Sequence, residues 1–530
     1  MATLWRHNAC HDEEQNEQQN EPHHNDRQPT HERDEQEDPD EHTRLLPREN
    51  PVYLSPDDPA VSPYNLWSIR ALRGLSSLFL AISFIWWAFL LVSIFVSPPG
   101  MHTRGSGFLC FSYTTLTVAY LVISLLFFSV PSRPMAISAI VLLVLLFVDM
   151  CIILGVPRLR VEEGWVGIAS VVWATVIALY NILQIRSVAW GKREEEERLT
   201  GREETRRPLR EWIAVLIESI AMTVLALVSV LFTATLILRA RDASLAPPGH
   251  QYLVNGDSFQ VHLACVGNRS DDTPTVLLEG GEGPVEHTLQ PFIDDVARSG
   301  AIGRYCYWDR PGFGWSDNAP SPYSAGMAAD VLSEALAVAG EEGPWVLVSA
   351  GVGGIYSRIF ASRHVLEIDG IMLVDSLHED YLSHVGRPGR GFVLWLRGIF
   401  SPLGFDRVAG AIFRGRTRED RVIGRSAYQS GKVIRAKLQE NLVAATMTWS
   451  EIQTARHVQV AETPLMVVSS GVEVKKSEKW SKAQEGLTKV TRNLQEWDIV
   501  NGAPHEVWKT VEGRQLLEKR LRQLVKTGDP

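Results

Sequence analysis

From residue 75 to residue 238 the chain shows five long apolar stretches, at 75–96, 108–130, 135–156, 165–185 and 212–238, with polar residues gathered between them. Crossing a hydrocarbon core takes about 20 residues of helix, so together they predict an all-α transmembrane bundle. Trp86, Trp87, Trp165, Trp173 and Trp212 lie within or at the ends of these stretches, and the terminal ones suit a membrane–water interface. After a linker at 239–251 the pattern changes. Apolar runs of strand length at 261–266, 275–278, 304–308, 345–348, 370–374 and 465–468 alternate with helical periodicity. This predicts an α/β domain over 252–530 with a mainly parallel sheet, long enough for one large core.

Charge is just as unevenly placed. The 530-residue chain has a formal net charge of −10, and residues 11–44 alone carry thirteen Asp or Glu against three Arg. That stretch has almost no apolar side chains with which to offset the entropy cost of ordering, so residues 1–60 are expected to form a disordered acidic tail. Its irregularly spaced histidines, among them His23 and His24, read as solvated rather than as metal ligands. Lys and Arg flank the spans unequally: eleven lie on the side of the amino terminus, eight of them between Arg186 and Arg210, against five on the other side. This bias puts the tail and the loop KREEEERLTGREETRR on the cytosolic face. Five spans being odd, everything after residue 241 falls on the lumenal or external face, at an organelle the sequence does not specify. The glycosylation triplet Asn268-Arg269-Ser270, in a polar turn, fits that placement. Asp149 and Glu218 are carboxylates inside spans, read as structurally paired or exposed at the interface, Glu218 lying two turns from the cytosolic end, with a transport path as the alternative.

Candidate chemistry gathers in the α/β region. Residues 345–356, WVLVSAGVGGIY, run from an apolar strand through a glycine-rich turn into a helix. A G-x-S-x-G elbow of that design presents a serine nucleophile at its strained apex. Here Ser349, Gly351 and Gly353 hold the three defining positions, so the apex has no side chain. Around it, in order along the chain, come LLEGGEGP at 277–284, DRPGFGWSD at 309–317, VDSLHED at 374–380 and APHEVW at 503–508.

With these motifs in register, residues 250–530 resemble the α/β-hydrolase fold superfamily. The resemblance implies an oxyanion loop at Gly280 and Gly281 completed by the backbone of Val352, and a turn built by Asp309, Arg310, Pro311, Gly312 and Gly314. It places His505 as the histidine of a triad remnant, with Asp375 as its acid and Glu473 as the alternative. It also implies a helical cap at about 378–460, between the last strands. Within the cap, RGFVLWLRGIFSPLGFDRVAGAIFRG mixes large apolar residues with spaced Arg, either as an ordinary cap helix or as a helix lying in a membrane interface. Ser349 is expected to point into the packing between strand and helix. Cys265 and Cys306 lie in predicted strands, as core cysteines or as a pair in an oxidising lumen.

Glycine at the apex keeps the turn and removes the attacking atom, because a positive φ costs other residues about 1–3 kcal/mol. The chain therefore reads as an integral membrane protein whose α/β-hydrolase-like domain is catalytically degenerate and binds an apolar ligand or a protein partner. One alternative is an active hydrolase on lipid-like esters that uses His505 with an atypical nucleophile; another is a transporter with the domain as accessory. The bilayer is the partner the composition demands. No cofactor, metal-ligand cluster or nucleic-acid surface is indicated.

Overall fold

The computed structural model describes residues 63–201, 209–269, 273–458 and 462–527; the tail expected at 1–60, with His23 and His24, lies outside the described residues. Five helices are long and apolar enough to span a membrane: α1 (Trp67–Phe95), α2 (Phe108–Leu126), α3 (Arg133–Gly155), α4 (Pro157–Thr200) and α5 (Leu209–Asp242). Helix α4 departs from expectation by continuing to Thr200 through much of the predicted charged loop. Its run of Glu, Lys and Arg consists of good helix formers, supported by the Lys192–Glu196 pair one turn apart. Near its other end the backbone breaks at Gly164 (φ 60°, ψ −167°), a conformation open essentially only to glycine.

Polar groups inside the bundle find partners on neighbouring helices. Ser76 Oγ donates to Gln184 Oε1 at 2.8 Å, and Gln184 Nε2 donates to Ser124 Oγ at 2.8 Å. The two intramembrane acids are likewise engaged: Tyr113 donates to Asp149 Oδ2 at 2.9 Å and Ser132 donates to Glu218 Oε2 at 3.0 Å.

After α5 come eight strands, β1 (His250–Val254), β2 (Phe259–Gly267), β3 (Thr275–Glu279), β4 (Arg304–Trp308), β5 (Trp345–Ala350), β6 (Ile368–Val374), β7 (Leu465–Ser470) and β8 (Leu494–Val500). They form one sheet in the order β1-β2-β4-β3-β5-β6-β7-β8. Only β2 runs antiparallel to its neighbours. That order, with one reversed strand near the edge, is the α/β-hydrolase fold. Alternate residues of the central strands feed two cores: Leu277, Leu347 and Leu373 pack on one face, Val276, Val346 and Met372 on the other. Cys265 and Cys306, opposite each other on β2 and β4, form a disulfide.

Between β6 and β7 lies a cap of short helices, including Pro388–Phe400, Phe405–Phe413 and Gly431–Val443. The cap packs against the spans. Phe108, the first residue of α2, sits against Gly398 so closely that an added Cβ would come within 2.0 Å of its ring. Gln439 Nε2 donates to the Ile94 carbonyl at 3.1 Å, and the buried Arg435 donates to Thr103 Oγ1 at 2.8 Å. Bundle and α/β domain are thus joined by packing and by hydrogen bonds.

Candidate active site

The ends of β3, β5 and β6 lie side by side, with Glu279 opposite Ser349 and Val374 opposite Ala350, so the segments that follow them converge at one point. After β5 the chain turns through Gly351, whose φ of +53° favours glycine, into the helix Gly353–Arg363. The helix starts hard against the β3 loop: a Cβ on Gly353 would lie 2.4 Å from the Gly280 carbonyl oxygen. Ser349 is fully buried and accepts a hydrogen bond from Ser357 Oγ at 2.9 Å, so its hydroxyl is taken up between strand and helix.

His505, in the loop after β8, is brought to this elbow from the far side of the sequence. Its Nδ1 lies 2.6 Å from Asp375 Oδ2. Asp375 is fully buried, and its other oxygen accepts from the Ser470 backbone N–H and from Trp480 Nε1, each at 3.0 Å. The acid is therefore held rigidly, and it fixes the ring with Nδ1 as donor and Nε2 free to accept. Nε2 faces the apex: a Cβ added to Gly351 would lie 3.2 Å from it. Of the two candidate acids, Asp375 reaches His505, whereas Glu473 sits on the helix Gly471–Lys476 and pairs with Lys476 at 3.5 Å. Burial disfavours the charged ring, but the hydrogen bond and charge of Asp375, with smaller contributions from Glu282 and Glu506, raise the His505 pKa above its usual value.

Gly280 and Gly281, expected as an oxyanion loop, are held by Arg310. Its guanidinium donates to the Gly280 carbonyl at 2.5 Å and to the Gly281 carbonyl at 2.6 Å. In trans peptides the N–H lies opposite the C=O, so the N–H groups of Gly281 and Glu282 point away from Arg310. The Gly281 Cα would lie 3.5 Å from a Cβ at position 351. Val352, next after the apex, opens the helix, where the first N–H groups have no intrahelical acceptor.

Sequence reasoning missed what fills the space beside the elbow. Arg310 pairs with Glu279 at 2.9 Å and Glu440 at 3.4 Å, with its guanidinium over the Tyr356 and Phe313 rings. The cavity bordered by Arg310, Phe313, Tyr356 and Glu440 measures about 20 Å³, room for roughly one water. Glu279, inside the LLEGGEGP motif, was the available signal; Glu440, from the cap, left none.

The rest of the Asp309–Gly314 turn is structural in its contacts. Asp309 accepts from the Trp315 N–H at 3.0 Å, and Gly314 leaves room for its carboxylate. His262, Glu286 and Asp309 bring ligand-type atoms within 4.8 Å of one another, a cluster the sequence did not reveal. His262 Nδ1 and Asp309 Oδ2 are hydrogen-bonded at 3.0 Å. Burial and the Asp309 charge push Glu286 up to about 9, so at neutral pH it is an uncharged acid, accepting from Trp315 Nε1 at 2.9 Å. The cluster is hydrogen-bonded in part: Glu286 Oε2 and Asp309 Oδ1 are buried without a partner among the described residues. Asn268 is exposed just beyond the end of β2; Ser270 of its triplet lies outside the described residues.

Comparison with other proteins places these features in context. A family described as a region of unknown function (DUF2417) matches residues 40–265. An uncharacterized protein of Schizosaccharomyces pombe is 34% identical over 526 residues, covering 92% of this chain and 97% of its own. A Saccharomyces cerevisiae protein described as an uncharacterized vacuolar membrane protein is 27% identical over 384 residues, 61% of this chain and 59% of its own length. Among solved structures, an α/β-hydrolase enzyme from a Medee basin deep-sea metagenome library aligns with 52% of this chain and 96% of its own, at 11% identity and a TM-score of 0.39.

Proposed function

Since the chain belongs to the family of the Schizosaccharomyces pombe protein that it matches over most of both lengths, we propose a function for a membrane protein of that family. Its α/β-hydrolase-like domain lacks serine-hydrolase turnover and serves to hold a partner beside the bilayer. The observation that carries this reading is the apex: histidine, acid and oxyanion loop surround Gly351, and the attacking oxygen has no atom to carry it. The small cavity beside Arg310 favours a protein partner over an apolar molecule held inside the domain.

The domain faces a lumen in this proposal, and the vacuole is the compartment suggested by the Saccharomyces cerevisiae relative. A disulfide between Cys265 and Cys306 supports an oxidising side, as do the exposed Asn268 and the excess of Lys and Arg on the opposite side. Phe392, Val393, Phe400, Phe405, Ile412 and Phe413 of the cap are all more than half exposed, an apolar row suited to lying in the adjacent interface. A gain in gel mobility on glycosidase treatment of protein from a eukaryotic host tests the topology; a full-length product that never carries glycan counts against it.

A fluorophosphonate probe on the full-length protein tests the silent elbow. We expect no serine labelling of the wild type and labelling at position 351 in Gly351→Ser. Stoichiometric labelling of a wild-type serine would overturn the proposal. The retained His505–Asp375 pair favours one second reading, in which His505 activates water as a general base. Ester hydrolysis that resists the probe yet disappears in His505→Ala would select it.

A further inference from the structure

A cavity of about 110 Å³ lies away from the elbow, between the ends of α2, α4 and α5 and the cap. Admitting one water takes roughly 10–15 Å³, so there is room for a polyatomic group. Five cations line it: Arg158 and Arg239 from the spans, and Arg407, Arg421 and Lys432 from the cap. The carboxylates at hand are fewer. Arg239 is held by Glu162 at 2.8 Å and Glu163 at 2.7 Å, and Glu162 also faces Arg158 at 3.3 Å. Asp242 is divided between Arg421 at 2.5 Å and Arg407 at 3.1 Å. Lys432 directs its Nζ to the Gly314 carbonyl at 2.8 Å instead, while Asp317 is engaged by Arg104 and by the Gln260 N–H.

Five cations thus line the cavity with two carboxylates, Glu162 and Asp242; Glu163 stands behind Arg239, and the charges of Glu162, Asp317 and Asp309 act on Lys432. Burial lowers the pKa of Lys432, and burial with the neighbouring Arg239 and Arg421 lowers Arg407 to about 10, although Asp242 opposes this. Cations in excess around an open volume are costly, and the group that would offset them is an anion rich in acceptor oxygens. An apolar guest would leave the excess charge unmet, and a metal ion would add to it.

We propose that this cavity binds an oxyanion of the phosphate class, held by Lys432 and Arg407. Because it opens where the spans end, the phosphate can belong to a lipid headgroup of the adjoining leaflet or to a free anion.

The test is thermal unfolding of the full-length protein in neutral detergent, with inorganic phosphate against chloride at equal ionic strength. A parallel titration uses detergent micelles doped with phosphatidic acid against phosphatidylcholine. Stabilisation by phosphate alone assigns a free anion, and by phosphatidic acid alone a lipid headgroup; stabilisation by both supports the shared site. Lys432→Gln, and separately Arg407→Gln, which leaves Asp242 paired with Arg421, are each expected to weaken the effect about tenfold, the scale of one charge-assisted hydrogen bond. No stabilisation by either probe, or an effect unchanged in both variants, overturns the proposal.

Discussion

The elbow and the cavity between spans and cap are both polar, but they differ in how their groups are satisfied. At the elbow Asp375 accepts from three donors, Arg310 spans two carboxylates and two carbonyls, and little space is left. At the interface the cations outnumber the acids and volume remains. A densely paired network with little free volume stabilises a fold whether or not anything binds, even with Arg310 Nε left without a partner, whereas undercompensated charge around an open volume lowers stability until an occupant arrives. In the proposed reading the residues that look catalytic serve the architecture, and the residues without a catalytic pattern are those that leave room for a ligand.

The strongest way to break this contrast is Asp242→Asn, which removes the acid shared by Arg407 and Arg421. A loss of about 3–5 kcal/mol in detergent unfolding is expected, as for other broken buried pairs, and added phosphate should recover part of it. Negligible loss would mean the two guanidinium groups are solvated and the charge argument fails. Gly398→Ala should cost about 1–3 kcal/mol by forcing Phe108 off the cap helix; a neutral result would show that the bundle and cap are loosely joined. Gly351→Ser should also cost about 1–3 kcal/mol, through its positive φ, while leaving phosphate stabilisation unchanged. Coupled changes would merge the two centres into one.

The smallest effect is the titration of His505. Followed by NMR, its midpoint should lie above the ordinary imidazole value of about 6.5 and should fall in Asp375→Asn. With a raised folded pKa, the charged pair contributes stability that is fully present below that ordinary value. The contribution is lost as pH rises through the folded pKa. The ring is 39% exposed, so solvent screening keeps it small. A midpoint at or below the ordinary value would mean that burial outweighs Asp375.

Much of the architecture could be read in the chain because the signals were long or local. Five apolar stretches and the strands of the central sheet are continuous runs whose burial depends on nothing distant. Edge strands β1 and β8 were missed. HQYLV begins inside the linker, and LQEWDIV keeps Leu494 and Ile499 exposed, so neither carries a buried strand's pattern. The acid of the elbow stayed ambiguous because Asp375 and Glu473 each follow a strand, and only the turn geometry separates them. The interface cavity could not be read at all: Arg158, Arg239, Arg407, Arg421 and Lys432 come from five segments that meet only once the cap has docked.

Helix α4 has a mechanical consequence. From Trp165 to Thr200 it runs without interruption, a rod about 54 Å long at ~1.5 Å per residue. Gly164 stands at one end, beside the acids that hold Arg239. A tilt of about 10° at that residue would swing the far end by roughly 9 Å over this length. Any change of direction at Gly164 is therefore carried along the whole rod, from the ion pairs of Arg239 at one end to Thr200 at the other.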